Sequence, residues 1–522
     1  MNQYLERLIW ISEEFEEQKK VNEDKISVNE FVGKMAFVYE KMRNSFDFKD
    51  AHILRKNAVH RILKRYFFLS NDASRIGDQL VTEMVRGGYL ANDTITKSKV
   101  LEVVKIVSKY TALKEALAFK VVKKNKIASW LLDMAACEID ETLVSPEKDE
   151  ALVDLMYQEM DSRITLTNSY LSEKEYAIYL YLAVLRAIRK LDKPLIEYNL
   201  LKFYSPNWKN YGPENAQVIA KKISSAKEKI ESKAKLPVME KMFVAVKKQV
   251  PPYRIIKEII NEQPEDARGI FYDKEVLKEK IEETAKAKYK KTRSILARSA
   301  VRAIIYVLLT KVIFALVLEM PYEFFVLKEY NYSALAVNIL FHPILLFILA
   351  VTARIPKNKN TDLLQERIGQ ILRGKYQDLD SIRIKVPQPS SKRSIFNVVY
   401  LIVTVALFLL IVWGLLALGF NWVSIALFAV FLSVVSFLGF RVRGLANEYK
   451  IQPPRRGALK ALSDFLFFPI LQTGKFLSIN FSRINVFVMF LDIAFEAPYK
   501  IILQYLDEWF SFLREKRDEI MD

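Results

Sequence analysis

Residues 395–440 read IFNVVYLIVTVALFLLIVWGLLALGFNWVSIALFAVFLSVVSFLGF, 46 consecutive positions without Asp, Glu, Lys or Arg. One crossing of a hydrocarbon core takes about 20 residues of α-helix, so this stretch predicts two spans and a short turn. The turn falls at residues 419–422, where Gly419 and Asn421 interrupt the aliphatic run and Trp422 suits the headgroup level. Upstream, residues 303–319 and 333–353 form a second apolar pair separated by residues 320–332. Four spans are therefore expected.

Basic residues around these spans alternate. Lys286, Lys288, Lys290, Lys291, Arg293, Arg298 and Arg302 precede span one with no acid among them, whereas residues 320–332 carry Lys328 as their one base. Residues 354–395 carry ten bases against four acids, and Arg441, Arg443, Lys450, Arg455, Arg456 and Lys460 follow span four. Under the positive-inside rule this pattern predicts a multi-pass protein with both termini in the cytoplasm. Anionic headgroups are the expected partner of Lys286, Lys288, Lys290, Lys291, Arg293, Arg298, Arg455 and Arg456, at about 1 kcal/mol per basic residue near the surface.

The whole chain has 522 residues, 79 Lys and Arg against 61 Asp and Glu, and 51% hydrophobic side chains. Residues 1–297 hold 53 bases and 44 acids, and residues 298–522 hold 26 and 17, so each half carries +9. Disordered, collagen-like and disulfide-stapled classes are excluded by this composition. With Cys137 as the single cysteine, neither an intramolecular disulfide nor a thiolate zinc site can form within one chain. Cys137 itself reads as a small core residue of a helix. The N-terminus, with Glu13, Glu14, Glu16 and Glu17 close behind it, does not read as a secretion signal.

Residues 1–297 show helical rather than strand spacing, as in Phe31, Met35, Val38 and Met42. Capping boxes at Ser27–Glu30 and Ser172–Glu175, and the Ser145-Pro146 pair, mark helix starts. Turn formers at residues 140–149, 205–213 and 263–269 divide this half, and one helix is expected to run from Asp273 directly into span one. The predicted fold is all-α. A cytosolic helical subdomain (1–143) is followed by a second (144–272) and a basic juxtamembrane helix (273–302). Spans one and two (303–353), a basic cytoplasmic loop (354–395), a hairpin of spans three and four (396–440) and a membrane-associated tail (441–522) complete the chain.

The tail divides at Pro469 and Pro498. Within residues 484–497, Asn485, Asp492 and Glu496 fall within about 40° of one another on a helix, a polar stripe on a broad apolar surface. That pattern predicts an amphipathic helix lying in the interface, with a re-entrant hairpin as its rival.

Phosphate-cradling glycine motifs, GxxxxGK[ST] and GxGxxG, do not occur in residues 1–297. His52, His60 and His342 are the three histidines, too few and too scattered for a histidine metal site or a Ser-His-Asp hydrolase. No metal, cofactor or catalytic residue is assigned. The helix predicted at residues 51–71 carries Arg55, Lys56, Arg61, Lys64 and Arg65 and no acid up to Asn71. It reads as a face packed on acids of neighbouring helices, with phosphate contact as the sharper alternative; nucleic acid is not expected as a partner. Lys311 and His342 lie inside the spans at nearly the same depth. Such residues mark ion or proton paths, unless Lys311 snorkels and His342 bonds the backbone freed by Pro343.

These features favour a membrane-anchored structural or adaptor protein that recruits a protein partner, or a second copy of itself, to the inner face of the membrane. A transporter or channel component using Lys311 and His342 is the alternative. A lipid-acting or membrane-shaping role for the tail is a third.

Overall fold

A computed structural model describes residues 2–18, 24–44, 50–69, 72–118, 124–167, 171–328, 331–353, 355–374, 376, 379–386, 391–451, 465 and 467–477, with scattered positions from 502 to 516. Most of the described chain is helical. Four helices are long and apolar enough to cross a membrane, which marks a membrane protein: Lys274–Leu327, Tyr332–Val351, Val398–Ala417 and Trp422–Ala446. They are called span helices one to four below.

Local chemistry sets the helix starts. Asp72 caps Ala73–Arg86 by accepting from the Ser74 and Arg75 amides, and Ser172 caps Glu173–Arg189 by accepting from the Glu175 amide at 3.3 Å. The other expected capping box does not form, because the helix there begins at Glu30, beyond Ser27. Ile26 is held extended instead: its amide donates to Ile95 O, Lys25 bridges Thr96, and Asn92 accepts from the Val28 amide. Tertiary pairing thus overrides a local helix signal.

The described residues from 2 to 285 pack around one apolar core that continues across residue 143, through Met134, Ile139, Leu143, Leu152 and Met156. Cys137 lies in this core, 1% exposed, and burial raises its thiol well above the ordinary range. The segment read as a loop after span helix two is part of the same body. Its helix Asn358–Arg373 inserts Leu364, Ile368 and Ile371 into the core. Its strand Ile382–Lys385 pairs in parallel with Ile164–Thr167, Ile164 opposite Ile382. A short parallel pair between segments so distant leaves no hairpin signal in the sequence.

Span helix one is continuous with this domain. Asp273 caps it by accepting from the Glu275 and Val276 amides, and it runs 54 residues, about 80 Å at 1.5 Å per residue. Leu277, Ile281 and Ala285 face the domain core, whereas Val307, Lys311, Ala315 and Glu319 face the other span helices. At the far end of the bundle, Gly419 turns the chain with φ +77°, its carbonyl accepts from Asn331 Nδ2 at 3.1 Å, and Asn421 caps span helix four. Asn331 itself caps span helix two, so both far-end turns meet through one side chain.

At the domain end three connections converge. Asn360 donates to Tyr289 OH at 2.7 Å and to Tyr449 O at 2.8 Å, and accepts from the Ile451 amide at 2.8 Å. One amide thereby joins the long helix, the segment after span helix two and the segment after span helix four. Glu448 adds contacts to Lys190, at 2.9 Å, and to Arg254. Deeper in the domain, Glu159 accepts from Tyr253 OH at 2.5 Å and pairs with Arg163 and Arg367. Burial and the Glu159 carboxylate together push the Tyr253 hydroxyl well above its usual range.

Glu159→Gln leaves two buried guanidiniums without their carboxylate, and about 3–5 kcal/mol of stability is expected to be lost. Denaturant unfolding checks this, and faster tryptic cleavage within Asn358–Arg373 would show which element lets go. A second prediction concerns pH. Burial, and then the Arg189 cation, lower His52 from 6.5 to about 4. Its buried Nε2 has no hydrogen-bond partner among the described residues. Because the unfolded chain takes up this proton first, stability is full above pH 6.5 and falls as pH drops toward 4. His52→Gln should flatten that part of a melting-temperature profile.

Candidate functional site

Lys311 does not reach either surface. Its side chain is fully buried, and Nζ donates to Asn338 Oδ1 at 2.6 Å while standing 4.6 Å from the Phe431 ring centre. Asn338 donates in turn to Glu319 Oε1 at 2.7 Å, and that oxygen lies 3.7 Å from Lys311 Nζ. Ser424 Oγ donates to Glu319 Oε2 at 3.4 Å. Lys311, Glu319 and Asn338 are each 0% exposed. An ammonium in an apolar bundle is tolerated when a carboxylate and hydrogen-bonding groups surround it, and this arrangement supplies both.

The backbone explains how Glu319 arrives there. Eight residues of α-helix would leave Glu319 about 80° around the axis from Lys311. Residues Ala315–Glu319 instead form a π-helical turn, whose i to i+5 bonds lower the rotation per residue to about 80–85° and nearly erase that offset. A second π turn, Glu323–Leu327, follows Pro321 and keeps Glu323 buried, where it accepts from Asn421 Nδ2 at 2.9 Å. Proline removes an amide that an α-helical ladder would use, which favours such a register change.

His342 joins the cluster from span helix two. Its Nδ1 lies 3.1 Å from Asn338 O and its Nε2 lies 3.1 Å from Phe428 O on span helix four. Pro343 removes the donor for Ile339 O. The ring does not turn to that carbonyl; its two nitrogens face one carbonyl a residue earlier and another on the neighbouring helix, and the N–H of the neutral ring can donate to one of them. Phe428 and Phe431 pack against the ring, with centroids 4.7 and 5.8 Å away. Lys311 and His342 are thus brought together through Asn338.

The expected tail site is placed less fully. Asn485, Asp492, Glu496, Arg455 and Arg456 lie outside the described residues. Residues 467–477, however, pack on span helices three and four. Tyr400 OH donates to Gln472 Oε1 at 3.0 Å, and Ile470 joins a cluster with Phe428 and Leu432. Gly474 presses its backbone against the Ser433 carbonyl, where a side chain would have no room.

Basic residues of the helix Ala51–Leu69 are mostly engaged within the domain. Arg55 pairs with Asp140 at 2.6 Å, Lys56 with Asp192 at 2.5 Å, Arg61 with Glu40 at 2.9 Å and Arg65 with Glu83 at 2.5 Å, while Lys64 is exposed. On the long helix, Lys286 pairs with Glu282 and Lys288 with Glu258, each at 2.5 Å. Lys290, Lys291, Arg293 and Arg298 stand exposed. A cleft of about 320 Å³ beside Leu8, Phe15 and Val144 is also lined by Lys257 and Asp149, which pair with each other.

The sequence reading placed Glu319 at the end of span one, placed Glu323 in the following loop and passed over Asn338. The available signal was a carboxylate with apolar residues on both sides, Val317-Leu318 before and Met320 after, eight positions beyond a lysine. Compared with known proteins, the chain matches no family model, no curated protein and no solved structure.

Lys311→Met alone strands the Glu319 carboxylate in an apolar core and should lower the melting temperature in detergent. Lys311→Met with Glu319→Gln removes both charges and should recover most of that loss. A double-mutant cycle with no coupling between the two positions would contradict the pairing.

Proposed function

We propose that this is a multi-pass membrane scaffold that presents a rigid helical domain at the cytoplasmic face and recruits a protein partner there. The observation that supports this reading is the joint at Asn360. It binds the long helix to both later connections, so the domain sits at a fixed height and orientation on the span bundle, not on a tether. Basic flanks favour the domain side as cytoplasmic, with Lys290, Lys291, Arg293 and Arg298 facing anionic headgroups. A second reading, a transporter or channel component, is favoured by the Lys311–Asn338–Glu319 cluster, because polar groups of this kind are costly among apolar helices.

Orientation and recruitment are tested on the full-length protein. Single cysteines at Ser333 and Lys290 report opposite faces against the low background of buried Cys137. A membrane-impermeant maleimide applied to intact cells should label Ser333→Cys and spare Lys290→Cys. Purification in mild detergent with mass spectrometry should then return one soluble protein in stoichiometric amount. Labelling at Lys290→Cys, or a particle of this chain alone, would overturn the scaffold reading.

A further inference from the structure

Polar groups follow one another from the far end of the bundle to its middle, with the Ser424 backbone amide meeting Asn421 and the Ser424 hydroxyl meeting Glu319. Glu323 accepts from Asn421 Nδ2 at 2.9 Å, and Asn421 Oδ1 accepts from the Ser424 amide at 2.8 Å. Ser424 Oγ reaches Glu319 at 3.4 Å, Glu319 meets Asn338 at 2.7 Å, and Asn338 meets Lys311 at 2.6 Å. From Glu323 to Lys311 is twelve residues, about 18 Å of rise. Below Lys311, toward the helical domain, the column stops at an apolar layer of Val307, Leu346 and Val435. The two π turns fall at the two carboxylates, a backbone irregularity that often marks functional positions in helices.

We infer that the Glu319–Asn338–Lys311 cluster is a proton-exchange site, loaded from the face opposite the helical domain by way of Glu323 and Ser424 and closed toward the domain by Val307, Leu346 and Val435. The inference rests on the transport reading and gives it a cargo. Loading adds one proton to the ionised Glu319 carboxylate and yields the neutral acid. The Lys311 ammonium balances the carboxylate before loading and is the charge that remains afterwards. Release toward the domain returns that proton to water once the apolar layer parts. The site is too closed for a hydrated metal ion: Glu319 and Asn338 already bond each other, and Lys311 fills the space beside them. Among the described residues, the ionisable side chains facing the pair are Glu323 on the same helix and His342 on span helix two. Span helix four offers Ser424 and Asn421, and its Arg443 lies at the domain end, bonded to Leu349 O at 3.0 Å.

The test uses the full-length protein in phosphatidylcholine and phosphatidylglycerol vesicles with a pH dye inside and a potassium diffusion potential set by valinomycin. Proton entry should exceed that of protein-free vesicles and fall to their level in Lys311→Met with Glu319→Gln. Val435→Ser should raise proton entry several-fold, and only while the cluster is intact. Should the double variant not fold, Ser424→Ala breaks the column at one hydroxyl and should slow entry by itself. Sodium uptake without proton entry would overturn the inference and leave the transport reading standing. If neither ion moves, in the wild type or in Val435→Ser, both fall and the cluster is a structural joint.

Discussion

The described residues are arranged around one helix that must satisfy two surroundings. Over its first turns Lys274–Leu327 offers Leu277, Ile281 and Ala285 to a domain core, and farther along it offers Val307 and Lys311 to other apolar helices. A helix satisfies its backbone internally, so it can pass from one environment to the other without an unpaired amide or carbonyl. Because the two cores share an axis, the position of the span bundle also fixes the position of the domain. The Asn360 joint makes that relation three-dimensional, since a single helix would leave rotation about its axis open, whereas two further attachments do not.

The same solution to buried charge recurs on both sides of that axis. In the domain, Lys109 donates to Glu138 at 2.5 Å and to Trp208 O at 3.2 Å, and Tyr110 and Trp208 occupy the other carboxylate oxygen. Desolvation holds that lysine below its usual range although the carboxylate opposes the shift. In the bundle, Asn338 takes the intermediate place between Lys311 and Glu319. The difference lies in what surrounds each pair. The domain pair pins the chain at residues 205–213 to its core, a packing task. The bundle cluster instead continues toward the far end of the spans through Ser424, Asn421 and Glu323.

Much of the architecture could be read from sequence because it follows from local rules. An uncharged run of 46 residues has the length of two apolar helices each able to cross a membrane, Gly419 and Asn421 mark its turn, and Asp273 marks the start of the long helix. What escaped is what depends on distant partners. The strand Ile382–Lys385 acquires its conformation from Ile164–Thr167, and Asn358–Arg373 acquires its place from a core built mostly by residues before 286. Half of the candidate site was visible as Lys311 and His342. The other half was hidden because the sequence ends the apolar run at Glu319 and marks residues 320–332 as a loop, whereas two π turns carry the helix through both carboxylates to Leu327.

A polar cluster shared by three helices also fixes register. Lys311 and Glu319 come from span helix one, Asn338 and His342 from span helix two, and Ser424 and the Phe428 carbonyl from span helix four. Sliding any of these helices by one turn, about 5.4 Å, would break every hydrogen bond between it and the others. Apolar surfaces in lipid impose no such penalty, since side chains and acyl chains are nearly interchangeable there. The register set at the cluster passes along Lys274–Leu327 to Tyr289, and from Tyr289 through Asn360 to the segments that follow span helices two and four. A change of charge at Glu319 would therefore act on the groups that hold the bundle in register, and those groups share their helix with the joint that positions the domain.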